Sequence, residues 1–171
     1  MSIIGQKKRS TPDPYDINGS IVHLLHRAGQ CTGEVFAARL GHLDLTPRQF
    51  AVMIAVGARE SSTQISITED TGIDRSTMVD VVRRLMKRGL LQRRRSRADA
   101  RFYVVRLTPA GRELIDGAVP EAVKVENAIL SGLSPRDRDT LVKSLTVVIG
   151  QLEAASQASR GGSVVLGAAK G

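Results

Sequence analysis

Arg75, Ser76 and Thr77 stand together in the sequence, followed by Asp80, Arg83, Arg84 and Lys87 and then by Arg93, Arg94, Arg95, Arg97 and Arg101. Short hydroxyl side chains beside an arginine can hydrogen-bond the exposed edges of bases. Arginines and lysines spread along a helix or loop hold phosphate oxygens. Such residues bind a polyanion and do not make or break bonds. The 171-residue chain carries 25 Lys and Arg against 17 Asp and Glu, a net charge of +8. Residues 74–106 hold eleven of the basic and three of the acidic residues, which accounts for the whole excess. A charge confined to one segment is a binding surface more than a solubility device.

Other chemistries find little footing. His23, His26 and His42 have no cysteine partner nearby and no HxxxH spacing, so no metal site is expected. There is no glycine-rich phosphate loop and no serine in a nucleophile elbow, so neither catalysis nor a cofactor is expected. The single cysteine, Cys31, excludes an internal disulfide. It falls on the apolar stripe of the first expected helix, where a buried core thiol is the default. No apolar run reaches 18 residues, and MSIIGQKKRSTPDP has no apolar stretch after its charges. A cytoplasmic, nucleoid-associated protein is therefore expected, with no membrane partner.

The elements that must position these residues can be read from caps and periodicity. Residues 1–15 read as a flexible arm. Apolar residues at helical spacing (Ile21, Leu24, Leu25, Ala28, Cys31, Val35, Ala38) predict a long helix from Asp16 to about Gly41. Thr46-Pro47 caps and opens a second helix to about Ala58, with Phe50, Val52, Met53 and Ile54 as its core. Thr63 caps a short third helix ending at Thr71-Gly72. Asp74 caps a fourth that Gly89 terminates, with Met78, Val81, Val82 and Leu85 on its inner side. A short helix, a tight turn and a longer helix form a helix-turn-helix. Arg75, Ser76 and Thr77 then occupy the turn that enters a major groove, and Arg83 and Arg84 reach phosphates.

The stretch LLQRRRSRADARFYVVRLT, residues 90–108, reads as a hairpin. Leu90–Gln92 form one strand and Phe102–Leu107 the returning one. The arginine-rich tip from Arg93 to Arg101 repels itself in water and is attracted to the minor groove and its phosphates. Asp99 reads as the partner of a neighbouring arginine, Arg101 above all, that holds the tip in shape; the alternative is an unpaired surface acid. Thr108 caps a fifth helix to about Leu130 that contains Pro120, and Ser134-Pro135 opens a sixth. The sixth helix carries Leu141, Leu145, Val148 and Leu152 on one stripe. These stripes exceed what one small winged domain can cover, so they point to a second subunit or to an intramolecular bundle. Residues 156–171 read as a disordered tail.

The chain resembles the MarR (multiple antibiotic resistance regulator) family of winged helix-turn-helix transcriptional regulators. The resemblance runs over about residues 17–155. It rests on LDLTPRQFAVM (43–53), TGIDRSTMVDVVRRLMKRGLLQRR (71–94) and DARFYVVRLTPAGREL (99–114). The last of these contains the family's Asp-x-Arg wing signature and a Leu-Thr-x-x-Gly strand end. The resemblance implies a mainly helical fold with a small β-wing, divided into a dimerisation helix (16–45), a winged DNA-binding lobe (46–107) and dimerisation helices five and six (108–155). It implies a homodimer on pseudo-palindromic operator DNA, usually released by a small ligand.

By position, Ser76 and Thr77 resemble base-reading residues. Arg75, Arg83, Arg84, Arg95, Arg97 and Arg101 complete the expected DNA surface, and Arg101 resembles the wing arginine paired to Asp99. Glu69 and Asp70 depart from the family pattern in the third helix. His23, His26 and Arg27 share a face of the first helix, where the family's pocket commonly lies. They suit a small aromatic carboxylate, or else form a solvated polar face. Two alternative functions remain: a sequence-indifferent architectural DNA- or RNA-binding protein, and a redox-sensing regulator that uses Cys31.

Overall fold

A computed structural model of the chain describes residues 16–59, 61–95 and 103–162. The arm (1–15), the wing tip with Arg97, Asp99 and Arg101, and the last residues (163–171) lie outside the described residues. In chain order the elements are α1 (Ile21–Leu40), a 3-10 turn (Gly41–Leu43), α2 (Pro47–Gly57), α3 (Gln64–Thr71), α4 (Arg75–Lys87), β1 (Leu91–Arg95), β2 (Tyr103–Leu107), α5 (Pro109–Ile129) and α6 (Pro135–Gly162). Among the described residues the fold is mainly helical, with one two-stranded antiparallel sheet as the wing. It divides into two compact units, Met1–Glu126 and Asn127–Gly171.

Most of the boundaries follow from caps. The hydroxyl of Thr46 accepts from Gln49 N while the Gln49 side chain accepts from Thr46 N, and Pro47 sits where no backbone donor is needed. Thr63 and Ser66 repeat the arrangement on α3. Gly72 closes α3 at φ 64°, and Gly89 follows α4 at φ 72°, both in the left-handed region that glycine enters without a Cβ clash. Asp44 is the one described non-glycine residue at positive φ. Arg88 holds it there, donating to the carbonyls of Leu43 and Asp44 from the end of α4.

The main core gathers Val52, Met53 and Val56 of α2, Ile67 of α3, the four inner residues of α4, and Leu90, Leu91, Val105 and Ile115. A second cluster joins Phe36 and Leu40 of α1 to Ala118, Ala122 and Val125 of α5. Leu43 and Phe50 pack against both clusters, and Phe36 meets Phe50 edge to face at 5.6 Å. The α1 helix is thereby seated on the lobe that carries α4.

In the wing, Leu91 pairs with Leu107 and Arg95 with Tyr103. Ser62 adds a bridge on the far side of β2, exchanging backbone hydrogen bonds with Val105. The Leu-Thr-x-x-Gly end of the hairpin has a physical cause. Thr108 Oγ1 donates to Gly89 O at 2.7 Å and accepts from Gly111 N at 3.0 Å, so it joins the end of α4 to the start of α5. Gly111 lies so close to the Leu90 carbonyl that a Cβ there would stand 2.1 Å from its oxygen.

Several expectations are corrected. The first helix begins at Ile21 and not at Asp16. Asp16 instead accepts from Asn18 N and Gly19 N in a turn, and Ser20 caps the helix. The residues of α1 that pack within the chain are Phe36 and Leu40, on a different side from the expected stripe. Ile21, Leu24, Leu25 and Val35 are exposed. Cys31 is exposed rather than buried, because five residues before Phe36 places it on another side of the helix. On α2, Ile54 is exposed and Val56 takes the core position. The first strand runs through Arg95, so Arg93 and Arg95 belong to the sheet and not to the tip.

In the unit that begins at Asn127, Ser134 caps α6 by accepting from Asp137 N. The helix runs to Gly162, beyond the expected start of the tail at Ser156; Ala154, Ala155, Gln157 and Ala158 favour helix. No described residue of this unit is buried. Among the described residues, no helix is long and apolar enough to cross a membrane.

Candidate nucleic-acid interface

The centre of the site is the first turn of α4. Asp74 Oδ1 accepts from Ser76 Oγ at 2.6 Å and from Thr77 N at 3.0 Å. These bonds, the Ser76 hydroxyl first, hold the Asp74 carboxyl well below its ordinary range. An ionised carboxylate can only accept, so Ser76 gives it the hydroxyl proton and turns its lone pairs outward. Ser76 is therefore poised as an acceptor for base amino groups.

The four buried residues of α4 (Met78, Val81, Val82, Leu85) define its inner side. At 100° per residue, the ridge opposite them is Ser76, Asp80, Arg83 and Lys87, and all four are exposed. Arg83 Nη2 pairs with Asp80 Oδ1 at 2.7 Å, one turn along this ridge. Arg75 lies on the flank towards α3, in a groove with Gln64, Ile65, Thr68, Glu69 and Val79. Thr77 and Arg84 lie on the opposite flank. They line an open cleft of about 550 Å³ whose other walls are Gly29 of α1, the α2 cap Thr46 with Pro47, Arg48 and Gln49 of α2, and Asp80 and Val81.

Wing residues continue the basic surface. The Arg93 guanidinium lies 4.1 Å from the centre of the Tyr103 ring and that of Arg95 lies 5.8 Å from it. A cation over an aromatic face is held without losing its charge. Arg94 donates to the Gln92 side chain at 3.0 Å. The strand thus carries three consecutive arginines, two of them braced by one tyrosine.

One of the two acids of α3, Asp70, also finds an explanation. Asp70 takes both ends of the Arg59 guanidinium, with contacts of 2.8 and 2.6 Å. It ties α3 to the end of α2, so its negative charge is partnered. Of the residues expected to hold a ligand, His23 is half-buried near the start of α1, and His26 and Arg27 are exposed. The cleft takes Gly29 from α1 and has none of those three among its walls. Sequence reasoning named Asp80 and Tyr103 without giving either a part in the site, and it missed Arg48. Asp80 was open to notice as the one acid between Arg75 and Arg88. No group of three or more metal-ligating side chains occurs among the described residues.

Comparison with known proteins agrees with this architecture. The MarR family profile matches residues 43–101, from the end of the 3-10 turn past the first wing strand. The repressor NicR of Pseudomonas putida is 28% identical over 149 residues, covering 83% of this chain and 94% of NicR. A solved structure of BpsR from Bordetella bronchiseptica, described for regulation of DNA binding by 6-hydroxynicotinic acid, superposes with a TM-score of 0.74 at 32% identity. It covers 80% of this chain and 97% of BpsR. The repressor CouR, solved on a 23-mer DNA duplex, gives a TM-score of 0.71 at 28% identity over 82% of this chain and 99% of CouR. With the helix-turn-helix, the wing and these matches in agreement, the chain belongs to the MarR family of DNA-binding transcriptional regulators.

Proposed function

We propose that the protein is a repressor that binds pseudo-palindromic operator DNA as a homodimer and is released by a small aromatic acid. The observation that carries the DNA-binding part is the outward ridge of α4 beside a wing with three consecutive arginines. Arg75 and Ser76 enter the major groove. Arg84, Arg95 and, beyond the described residues, Arg97 and Arg101 contact phosphates and the minor groove, with Asp99 steadying Arg101, while Arg83 stands with Ser76 on the outward ridge of α4. Support for repression comes from NicR and CouR, each named a repressor.

The exposed apolar residues of α1 (Ile21, Val22, Leu24, Leu25, Val35) and of α6 (Leu141, Leu152) support a dimer, because a second copy of the chain would remove both stripes from water.

For the effector, the cleft beside α4 is the better-supported seat. Pro47 and Val81 offer apolar walls and Arg48 and Arg84 offer cations for a carboxylate, while the acid on the cleft's edge, Asp80, is paired with Arg83. Support for the acid itself comes from the effector of BpsR, 6-hydroxynicotinic acid. A ligand there engages Thr77 and Arg84, so it binds better to a protein that has let go of DNA, which is the differential affinity that release requires. His23, His26 and Arg27 remain the second placement, reached from the other side of α1.

The deciding experiment is titration of the full chain against its own promoter DNA and against random duplex, with and without hydroxylated benzoic and nicotinic acids. A preference of about a thousandfold or more for one palindrome, reversed by an acid, is the expected result. Equal affinity for all sequences would instead establish a sequence-indifferent architectural protein.

A further inference from the structure

We infer that Asp80 and Arg83 together read one C·G base pair in each operator half-site, with Asp80 accepting from the cytosine amino group and Arg83 donating to the guanine. The inference rests on the operator-binding reading above and adds to it a specificity determinant that the basic pattern alone conceals.

Asp80 is the one acid between Arg75 and Arg88, in the segment that carries the chain's whole net charge. It lies on the outward ridge of α4, one turn after Ser76, one turn before Arg83 and two before Lys87, with more than half of its side chain exposed. It also borders the cleft on the Thr77 and Arg84 flank. A carboxylate on this ridge is carried into a groove walled by phosphates, where it is repelled unless it faces a hydrogen-bond donor. In the major groove the available donors are the amino groups of cytosine and adenine.

Arg83 chooses between them. Its Nη2 already meets Asp80 Oδ1 at 2.7 Å, so the two side chains move as one unit that offers an acceptor beside a fork of donors. Guanine presents two adjacent acceptors, O6 and N7, to such a fork, and the cytosine paired with it presents its amino group next to O6. An A·T pair instead places the amino group between two separate acceptors and adds a methyl group, so the fork meets only one acceptor. The edge of a C·G pair is therefore the better complement of the Asp80–Arg83 pair. The pair is exposed and weak enough to settle onto that edge without an energetic obstacle. The one hydroxyl on the ridge, Ser76, is likewise turned into an acceptor by Asp74, so the first two turns of α4 present acceptors to base amino groups.

The test is selection of bound sequences from randomised duplexes, followed by direct titration, using full-length wild type, Asp80→Asn and Arg83→Lys. Wild type should prefer C·G at one symmetric position in each half-site by about 10- to 100-fold. Asp80→Asn should lose that preference at that position alone, and its affinity for random duplex should rise with the added positive charge. Arg83→Lys should weaken the same preference, since an ammonium cannot bridge O6 and N7 as a fork. If Asp80→Asn keeps the C·G preference, the acid is only an ion-pair partner and the inference is overturned while the regulator stands. If wild type enriches no sequence at all, the operator-binding reading falls together with it.

Discussion

Ser76 donates its hydroxyl proton to Asp74 across 2.6 Å, and this one contact couples the fold of α4 to its binding face. The same carboxylate caps the helix through Thr77 N, so the acceptor orientation of Ser76 is maintained by the bond that starts the helix.

A pH dependence follows. The Asp74 carboxyl is held below its ordinary value of 3.8 by Ser76 and Thr77. A folded value lower than the unfolded one means that its stabilisation is complete above the ordinary value and fades as pH falls below it. Asp74→Asn keeps a capping oxygen but has no charge to titrate. Denaturant midpoints from about pH 7 down to about pH 2.5 should show wild type ahead at neutral pH, with the gap closing only below about pH 4. A gap that is constant with pH would mean that the charged form is not what these bonds favour.

Glycines offer a sharper contrast. Gly111→Ala places a methyl group against the Leu90 carbonyl, which belongs to backbone and cannot swing aside. It should cost roughly 2–4 kcal/mol and lower the melting temperature. Gly117→Ala, six residues further along α5, meets nothing within 4 Å. It should stabilise by about 0.5–1 kcal/mol, because alanine is the better helix former. Thermal unfolding of the two variants beside wild type settles the sign of each.

How much of the fold and the site was legible beforehand depends on what reports locally. Caps, glycine stops and the inner side of α4 are encoded within a few residues, and Thr46, Thr63, Asp74, Gly72 and Gly89 fall where their chemistry places them. The register of β1 was less visible, because a run of arginines hides strand propensity and only the pairing with Tyr103 reveals it. Cys31 was misplaced because an apolar stripe does not say what covers it. Phe36 and Leu40 pack within the chain while Leu24 and Leu25 are left exposed. The cleft was invisible for a related reason: Gly29, Arg48 and Arg84 are far apart in sequence and meet only because Phe36 and Phe50 seat α1 on α2.

Positioning and specificity should separate on the DNA surface. Arg93→Ala removes a cation held over Tyr103 and should weaken binding to operator and random duplex alike. The slope of log affinity against log salt should fall by about 0.9 for each phosphate that the variant no longer neutralises. Ser76→Ala should weaken operator binding selectively and leave the slope unchanged, because a hydrogen bond to a base releases no counterion. An equal loss on all sequences for Ser76→Ala would remove the first turn of α4 from base reading.

Assembly is tested through the uncovered stripes. Leu25→Asp on α1 and Leu145→Asp on α6 place charges where a second copy is proposed to pack. Both should shift sedimentation from dimer to monomer and abolish operator binding, since half-sites about 34 Å apart need two linked recognition helices. A wild-type chain that sediments as a monomer at micromolar concentration would overturn the dimer at once.

The two placements of the effector make opposite demands on single arginines. In the cleft beside α4, Arg48 is an exposed wall residue with no assigned part in holding DNA. Arg48→Ala should therefore weaken acid binding about tenfold or more, as expected when one charge-assisted hydrogen bond is removed, while leaving operator affinity without acid close to wild type. Arg27→Ala should respond like wild type. If the grip is instead at His23 and Arg27, the two variants exchange behaviour. Linkage supplies an internal check, because operator DNA must weaken acid binding by the same factor by which the acid weakens operator binding. Calorimetry with 6-hydroxynicotinic acid and hydroxylated benzoic acids, on free protein and on the operator complex, measures both factors. Should both arginine variants release DNA like wild type, neither placement holds.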